Sequence, residues 1–341
     1  MRSVTQQAVS EVRPLTYTRA SDTDAAISAV AADGQSAYLA GGTTEVDLIR
    51  LNVRRPSMLV DINALPLVGI DDLPGGGLLI GAMERMSDVA VAPNVTQRFP
   101  MLEQALLLGA SAQLRNMASM GGNLCQAVRC SYFRDGISAC NKREPGSGCS
   151  ALDGFNRGHA ILGTSDHCIA THPSDLAVAF VALNAVVHTR GPSGERAIPI
   201  DDFFLLPGDT PDKEHPLDHG ELIVTIEVPP APVAKRSIYL KFRDRESYEF
   251  ALVSLGAAMR VENGAIAEVR LALGGVGTKP WRARLAEENL LGQAPTKATF
   301  EEAARAELAV AVPRRYNAFK IEMARRAIVR GLTTVLEGGD R

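Results

Sequence analysis

Residues 36–45 are Ser36-Ala37-Tyr38-Leu39-Ala40-Gly41-Gly42-Thr43-Thr44-Glu45, a short apolar run that ends in two glycines and two threonines. The apolar run predicts a buried strand, and a helical pattern continues from Glu45 to Leu51. A second strand is predicted at Ser57–Ile62, directly after Pro56. Strand, glycine turn, helix and strand in this order are typical of a βαβ unit, which indicates a fold that mixes helices with sheets.

This glycine turn is also the first candidate binding site. Two glycines let the backbone approach a ligand closely, and the amides that follow them stand at the start of a helix, where anions bind. A Walker lysine and a G-x-G-x-x-G pattern are both missing, so a P-loop and a Rossmann site are excluded. The alternative is a tight turn that only begins a helix. The candidate residues are Ala40, Gly41, Gly42, Thr43, Thr44 and Glu45.

A second glycine pair lies further along the chain, in Ser119-Met120-Gly121-Gly122-Asn123. It follows a stretch that is rich in hydrogen-bond donors. Two such turns predict a clamp around a long diphosphate ligand. The alternative is that the polar side chains only bind loop carbonyls. The candidate residues here are Ser111, Arg115, Ser119, Gly121, Gly122 and Asn123.

The composition indicates an ordinary globular protein. Of the 341 residues, 46% are hydrophobic and 22% charged, and the net charge of −3 gives no sign of a nucleic-acid partner. Met1–Glu11 is polar, unlike a secretory signal. The longest apolar stretch, Leu176–Val187, is too short to cross a bilayer. We therefore expect a soluble chain that inserts in no membrane and leaves the cytoplasm only if a partner carries it.

The five cysteines all fall within the 44 residues from Cys125 to Cys168. Glycines and a proline interrupt this window, so we expect a long loop that is pinned in place, because loops of this length are either functional or disordered. The spacings match neither a zinc ribbon nor the compact ferredoxin run. Four thiolates on one loop are still able to hold a zinc ion or a four-iron cluster. The alternative is that the cysteines bind no metal and are unrelated buried thiols. The candidate metal ligands are Cys130, Cys140, Cys149 and Cys168.

The rest of the chain predicts helices and antiparallel strands. Pro229-Pro230-Ala231-Pro232 is the clearest linker, so we place a boundary between domains of residues 14–230 and 235–341. Before it, a helix is predicted at Pro100–Leu108. After it, strands are predicted at 237–242, 251–261 and 265–273, with a hairpin at Glu262-Asn263-Gly264 between the last two, then helices at 280–291, 299–309 and 315–336. Two further candidates are polar. Asp175 begins a helix and is a candidate for holding sugar or ribityl hydroxyls; the alternative is that it only marks the helix N-terminus. Lys241 is a candidate cation near a ligand ring or an electron acceptor, and the alternative is a solvated edge strand.

The order of these motifs resembles the FAD-binding subunits of the xanthine dehydrogenase group of molybdenum hydroxylases. The resemblance rests on Ala40–Thr43, Ser119–Asn123, Pro173-Ser174-Asp175 and the Tyr239–Lys241 and Ser247–Ala251 segments, and it extends from Pro14 to about Thr334. It implies an α+β fold: a two-subdomain FAD-binding domain of the PCMH type, then a domain of antiparallel sheet and helices. It also implies that the two glycine turns hold the FAD diphosphate.

The cysteine window resembles a loop that only some members of this group carry, inserted here at residues 125–172. The loop is most similar to that of the three-subunit, periplasmic-type bacterial aldehyde oxidoreductases. By that resemblance Cys130, Cys140, Cys149 and Cys168 bind a [4Fe-4S] cluster, and Cys125 is a spare buried thiol.

The resemblance implies an electron-transfer flavoprotein subunit of an aldehyde oxidoreductase, in which no side chain of this chain is catalytic. Its expected partners are a large molybdopterin-binding subunit and a small [2Fe-2S] subunit. The expected location is cytoplasmic, or periplasmic by co-export with a partner that bears a signal. The alternatives are the equivalent subunit of a 4-hydroxybenzoyl-CoA reductase-like enzyme and a zinc-stapled protein of binding or assembly function.

Overall fold

The computed structural model describes residues 14–338. The expectations for Met1–Glu11 and for the last three residues of the predicted C-terminal domain lie outside the described residues. The first part of the chain contains the following elements: β1 Thr16–Arg19, α1 Thr23–Ala31, β2 Ser36–Leu39, α2 Glu45–Arg50, β3 Met58–Asp61, β4 Ile70–Asp72, β5 Leu78–Gly81, α3 Met86–Val91, α4 Pro93–Thr96, α5 Pro100–Leu108, α6 Ala112–Arg115, α7 Met120–Leu124 and α8 Ser131–Arg134. The remaining elements are α9 Asp175–Ala182, β6 Val186–Gly191, β7 Gly194–Pro199, α10 Ile200–Phe203, β8 Leu222–Val228, β9 Ser237–Phe242, β10 Val253–Glu262, β11 Ala265–Gly274, β12 Trp281–Arg282, α11 Arg284–Leu290, α12 Lys297–Glu307 and α13 Phe319–Glu337.

The predicted βαβ unit is confirmed: β2 and β3 are parallel neighbours in a three-stranded sheet of order β1-β3-β2. The turn after β2 leads directly into α2, and α1 covers a small core that includes Ala26, Ile27 and Val60. Asp22 caps α1, because its carboxylate accepts from the amide of Ala25 at 2.8 Å.

The second sheet has five antiparallel strands in the order β4-β5-β8-β6-β7. It joins the helices α5 and α9 around the largest core of the molecule, to which Phe99, Phe180 and Phe203 contribute fully buried rings. The predicted α5 is confirmed at Pro100–Leu108, where proline at the first helical position needs no amide partner.

The third sheet is antiparallel, of order β12-β11-β10-β9, and is covered on both faces. In β10, Leu255, Ala257 and Met259 enter the core beneath the C-terminal helices, whereas Ala258 enters the core shared with α5 and α9. Burial on both faces explains why β10 is an almost continuous apolar run. Two of the three sheets described are antiparallel, and the helices pack against the sheets. The α+β prediction is therefore confirmed.

Two predicted boundaries in this region need correction. The helix predicted from Pro280 begins only at Arg284, because Trp281 and Arg282 pair with β11 as an edge strand. The helix predicted from Arg315 begins at Phe319. The hairpin at Glu262-Asn263-Gly264 is confirmed, with φ of 51° at Asn263 and 78° at Gly264, as a turn between twisted strands requires.

We expect truncation of Leu255 to destabilise the third sheet. Its side chain is fully buried where α13 crosses β10. Leu255 packs tightly against Gly331 of α13: a Cβ added at Gly331 would lie only 2.4 Å from Leu255 Cδ2. Leu255→Ala therefore leaves a cavity in a tightly packed contact and should reduce the free energy of unfolding by about 2–5 kcal/mol. Chemical denaturation measures the loss. Leu285→Ala, at an exposed position of α11, is the control and should change stability by less than about 0.5 kcal/mol.

Candidate functional site

A cleft with two chambers runs across the glycine turns. The first chamber is lined by the turn 40–45 and by Tyr38, Ser119, Gly121 and Leu222 among others. The second is lined by α9, by the start of the cysteine window and by the segment after β9. Both chambers share the same four residues, which form a narrow passage between them: Thr43, Thr44, Ala118 and Gly122.

The turn that leads into α2 presents unused amides to this passage. The N–H groups of Gly42, Thr43 and Thr44 have no hydrogen-bond acceptor among the described residues, and no side chain caps the helix. Gly42 has a φ of 71°, and a Cβ on Gly41 would lie 1.9 Å from the carbonyl oxygen of Met117. The turn therefore requires glycine, and its amides are available for an anion.

The second turn uses its amides differently. The Gly121 amide donates to the Ala82 carbonyl at 2.8 Å. The Gly122 amide donates to the Ser119 hydroxyl at 3.2 Å, and that of Asn123 to the Ser119 carbonyl at 2.9 Å. These three groups already have acceptors, so this turn shapes the wall of the cleft, and the free donors come from the first turn.

Arg129 is the cation that sequence reasoning missed. Its guanidinium donates to the Thr44 hydroxyl at 3.3 Å and to Asp47 at 3.3 Å, and it lies 5.2 Å from the centre of the Phe250 ring. Burial lowers the pKa of Arg129, although an arginine remains charged. A positive charge thus stands beside the unused amides. No sequence motif marks Arg129, which lies between the second turn and the first candidate ligand cysteine.

Asp175 lines the second chamber and is held by two buried partners. Tyr239 donates its hydroxyl proton to Oδ1 at 2.7 Å, and Lys241 donates to Oδ2 at 2.7 Å and to the Leu108 carbonyl at 2.9 Å. Burial raises the pKa of Asp175, against the opposing effect of the Lys241 charge. Lys241 stands behind Asp175 and outside the residues that line the chamber.

We expect Lys241→Met to destabilise the protein strongly. The side chains of Lys241 and Asp175 are 1% and 7% exposed, so removing the cation leaves an uncompensated carboxylate in the core. The expected loss in unfolding free energy is about 3–5 kcal/mol, measured by chemical denaturation. The double variant Asp175→Asn/Lys241→Met removes both charges and should recover most of this loss. A double variant no more stable than the single one would contradict the expectation.

Two other sequence candidates lie outside the lining of the cleft. The Ser111 hydroxyl accepts from the Leu114 amide at 3.3 Å and caps α6. Arg115 donates to the Gly109 carbonyl at 2.7 Å. Both contacts favour the alternative given for this stretch, in which its polar side chains only form hydrogen bonds with the local backbone. The lining residues that the sequence did not single out as a site include Gln126, Arg129, Tyr248 and Phe250.

The four candidate ligand cysteines line one small cavity. Cys130, Cys140, Cys149 and Cys168 come from separate parts of the inserted loop, and the fifth, Cys125, lines the first chamber of the cleft instead. No disulfide joins any of the five. Cys140 and Cys149 face each other across an isolated antiparallel bridge. Burial raises the pKa of Cys130 to about 12, and the neighbouring Cys140 and Cys168 act in the same direction.

The loop around this cavity is pinned by hydrogen bonds, as the sequence predicts. Asn141 receives the Gly148 amide at 2.7 Å and donates to the His167 carbonyl at 3.1 Å. Arg143 donates to the carbonyls of Tyr132 and Phe133 at 2.9 and 2.8 Å. Apart from α8 the cysteine window has no helix or strand. The cavity is therefore set by a fixed loop conformation.

The donor set of this cavity is suited to a cluster. Within residues 14–338 no group of three or more His, Cys, Asp or Glu side chains is arranged to hold a single metal ion. In a four-iron cluster each cysteine binds a different iron, so the sulfurs converge on one cavity without meeting at one point. Four cysteines that line a single cavity would suit such a group. Burial raises the pKa of Cys130 and Cys168, which is consistent with ligands that lose their protons only when metal binds.

His159 contacts one cysteine of this set. Its Nε2 atom lies 3.2 Å from the Cys130 sulfur, and its buried Nδ1 atom has no partner among the described residues. Burial, together with the charge of Lys320, lowers the pKa of His159 to about 4, so the imidazole is neutral.

The chain is similar to known redox proteins over nearly its whole length. Residues 10–231 match the family model of the FAD binding domain in molybdopterin dehydrogenase, and residues 238–335 match the CO dehydrogenase flavoprotein C-terminal domain. The chain is 45% identical over 319 residues to the aldehyde oxidoreductase FAD-binding subunit PaoB of Escherichia coli strain K12, covering 93% of this chain and 96% of that protein.

More distant relatives show the same likeness. The carbon monoxide dehydrogenase medium chain of Hydrogenophaga pseudoflava is 28% identical over 276 residues, 81% of this chain and 79% of that one. A solved structure of carbon monoxide dehydrogenase from the same organism superposes with a TM-score of 0.74 and 26% identity, covering 95% and 98% of the two chains. Among the helices of residues 14–338, none combines the length and apolar character that a bilayer crossing requires.

Proposed function

Because the chain belongs to the FAD-binding subunits of the molybdenum hydroxylase family, which are parts of oxidoreductases, we propose that it is the electron-transfer subunit of an aldehyde oxidoreductase. In this proposal electrons pass from iron–sulfur clusters to FAD and then to an external acceptor. The observation that carries it is the pairing of the two-chamber cleft with a separate four-cysteine cavity in one chain.

The passage between the chambers is the proposed site of the FAD diphosphate. The free amides of Gly42, Thr43 and Thr44 donate to phosphate oxygens, and Arg129 supplies the neighbouring positive charge. Asp175 retains lone pairs beyond those used by Tyr239 and Lys241, and we assign it to ribityl hydroxyls. A bound flavin accepts electrons singly or in pairs, and the protein orients and tunes it.

The four-cysteine cavity is the proposed [4Fe-4S] site, with Cys130, Cys140, Cys149 and Cys168 as ligands. Such a cluster transfers one electron at a time. The fixed loop excludes water from two of the four sulfurs, since Cys140 and Cys168 are each only 7% exposed. The proposed partners are a large molybdopterin-binding subunit, where the aldehyde reacts, and a small [2Fe-2S] subunit. The proposed domain limits are 14–230, with the insertion at 125–172, and 235–341.

Cofactor analysis of the anaerobically purified full-length protein tests this proposal. We expect one FAD and about four irons and four inorganic sulfides per chain. One FAD with stoichiometric zinc and no iron would contradict the electron-transfer role of the cysteine site. Zinc without flavin would favour the zinc-stapled binding protein. Co-purification with a molybdopterin subunit and a [2Fe-2S] subunit would support the proposed assembly, and purification of a complex that lacks both would contradict it.

A further inference from the structure

Lys320, the second residue of α13, is a fully buried lysine. Its side chain is fully buried, and no carboxylate among residues 14–338 forms an ion pair with it. The ammonium donates instead to the carbonyls of Gly158 and Gly275, at 3.0 and 2.7 Å. Two neutral acceptors do not offset the cost of burying a full charge, so burial lowers the pKa of Lys320 to about 7, and a nearby anion would favour its charged form.

Gly158 connects this lysine to the cysteine cavity. The next residue is His159, whose Nε2 atom is 3.2 Å from the Cys130 sulfur. The Asn317 amide donates to the carbonyls of His159 and Ala160, at 3.3 and 3.1 Å, and so fixes the backbone on which the imidazole stands. Lys320 and Asn317 belong to the same C-terminal segment and hold the same short piece of the inserted loop.

The lysine that lines the cavity forms an ion pair. Lys142 lines the cavity, but its ammonium is 3.2 Å from a Glu214 carboxylate oxygen and also donates to the Pro211 carbonyl. Arg157, which is near Lys320, is likewise paired with Asp244 through two contacts of 2.6 and 2.9 Å. Unlike Lys142 and Arg157, Lys320 forms no ion pair with a carboxylate of the described residues.

We propose that Lys320 supplies the counter-charge, and His159 the N–H donor to Cys130, that together raise the reduction potential of a four-iron cluster held by Cys130. The inference rests on the proposed cluster site. One-electron reduction adds one negative charge to the cluster and its thiolates and transfers no proton. A nearby cation and a hydrogen bond to a ligand sulfur both favour the more negative state. A cluster with four thiolates would in turn favour the charged form of Lys320.

An EPR-monitored redox titration of the holoprotein, with dithionite as the reductant, tests the proposal. At the solution potential that half-reduces the wild-type cluster, Lys320→Met should lower the reduced-to-oxidised ratio about tenfold, equivalent to about 59 mV. Lys320→Arg keeps the charge and should recover most of this shift. Lys297→Met removes an exposed lysine of α12 and should leave the ratio unchanged within about twofold.

His159 provides a second test that does not depend on the folding of the Lys320 variants. His159→Phe removes the N–H donor and should also make the cluster harder to reduce, whereas His159→Gln keeps a donor and should stay close to wild type. Unshifted potentials in Lys320→Met and His159→Phe would overturn the inference, as would equal shifts in Lys320→Met and Lys320→Arg. A wild-type protein without a four-iron signal would instead overturn the proposed function itself.

Discussion

Replacing Cys149 by serine is expected to reduce the iron content from about four per chain to less than one. The backbone of Cys149 pairs with that of Cys140 in an isolated antiparallel β-bridge, and its side chain lines the same cavity as the other three candidate ligands. A serine hydroxyl stays protonated at neutral pH and replaces thiolate poorly as an iron ligand. Iron and sulfide analysis, together with the visible absorption of the cluster after anaerobic purification, measures the loss.

Cys125→Ser is the matched control for this variant. Cys125 is the fifth cysteine of the same window, but it lies in the first chamber of the cleft and outside the four-cysteine cavity. We expect this variant to keep about four irons per chain. Full iron content in Cys149→Ser, or iron loss in Cys125→Ser, would contradict the ligand assignment.

Replacing Gly41 by alanine is expected to weaken FAD binding about 100-fold. The added Cβ would lie 1.9 Å from the Met117 carbonyl oxygen, and backbone cannot move away as a flexible side chain does. The turn must therefore shift, and the free amides of Gly42, Thr43 and Thr44 shift with it. Flavin content after purification and fluorescence titration of the apoprotein with FAD measure the effect.

Gly34→Ala controls for the loss of a glycine as such. No heavy atom lies within 4 Å of the Cβ that this alanine would add. We expect wild-type FAD affinity in Gly34→Ala, and about four irons per chain in both variants, since the cysteine cavity lies in a different loop. If Gly41→Ala retained wild-type affinity, the first turn would not be the diphosphate site.

Much of the fold follows from local sequence, because periodicity and glycine punctuation act within a few residues. The β2–turn–α2–β3 unit, α5 and β9 occur where the sequence predicts them. The edge strand Trp281–Arg282 was not predicted, because two residues carry no period and only the partner strand β11 holds them extended. The capping residue of α1 is Asp22, although Ser21 beside it is equally suitable by composition.

The site was predictable where backbone geometry dictates it and less so where side chains meet across the fold. Gly41 and Gly42 mark their own turn, since no other residue fits it. Arg129 joins Thr44 across 85 positions of sequence, a contact that no local pattern encodes. Asp175 and Lys241 were each singled out separately. Only the packing of β9 against α5, with the contact of Lys241 and Asp175 at the start of α9, reveals that they form one buried pair.

The anchoring of the inserted loop has a consequence for protein engineering. The Asn156 side-chain amide donates to the Ala151 and Leu152 carbonyls within the loop, and its oxygen accepts from the Tyr316 amide just before α13. The loop thus gains its shape from residues more than 150 positions away in the chain. A transplant of residues 125–172 into a relative that lacks them should fail to assemble a cofactor site unless the segment around Tyr316 and Asn317 is transferred with it.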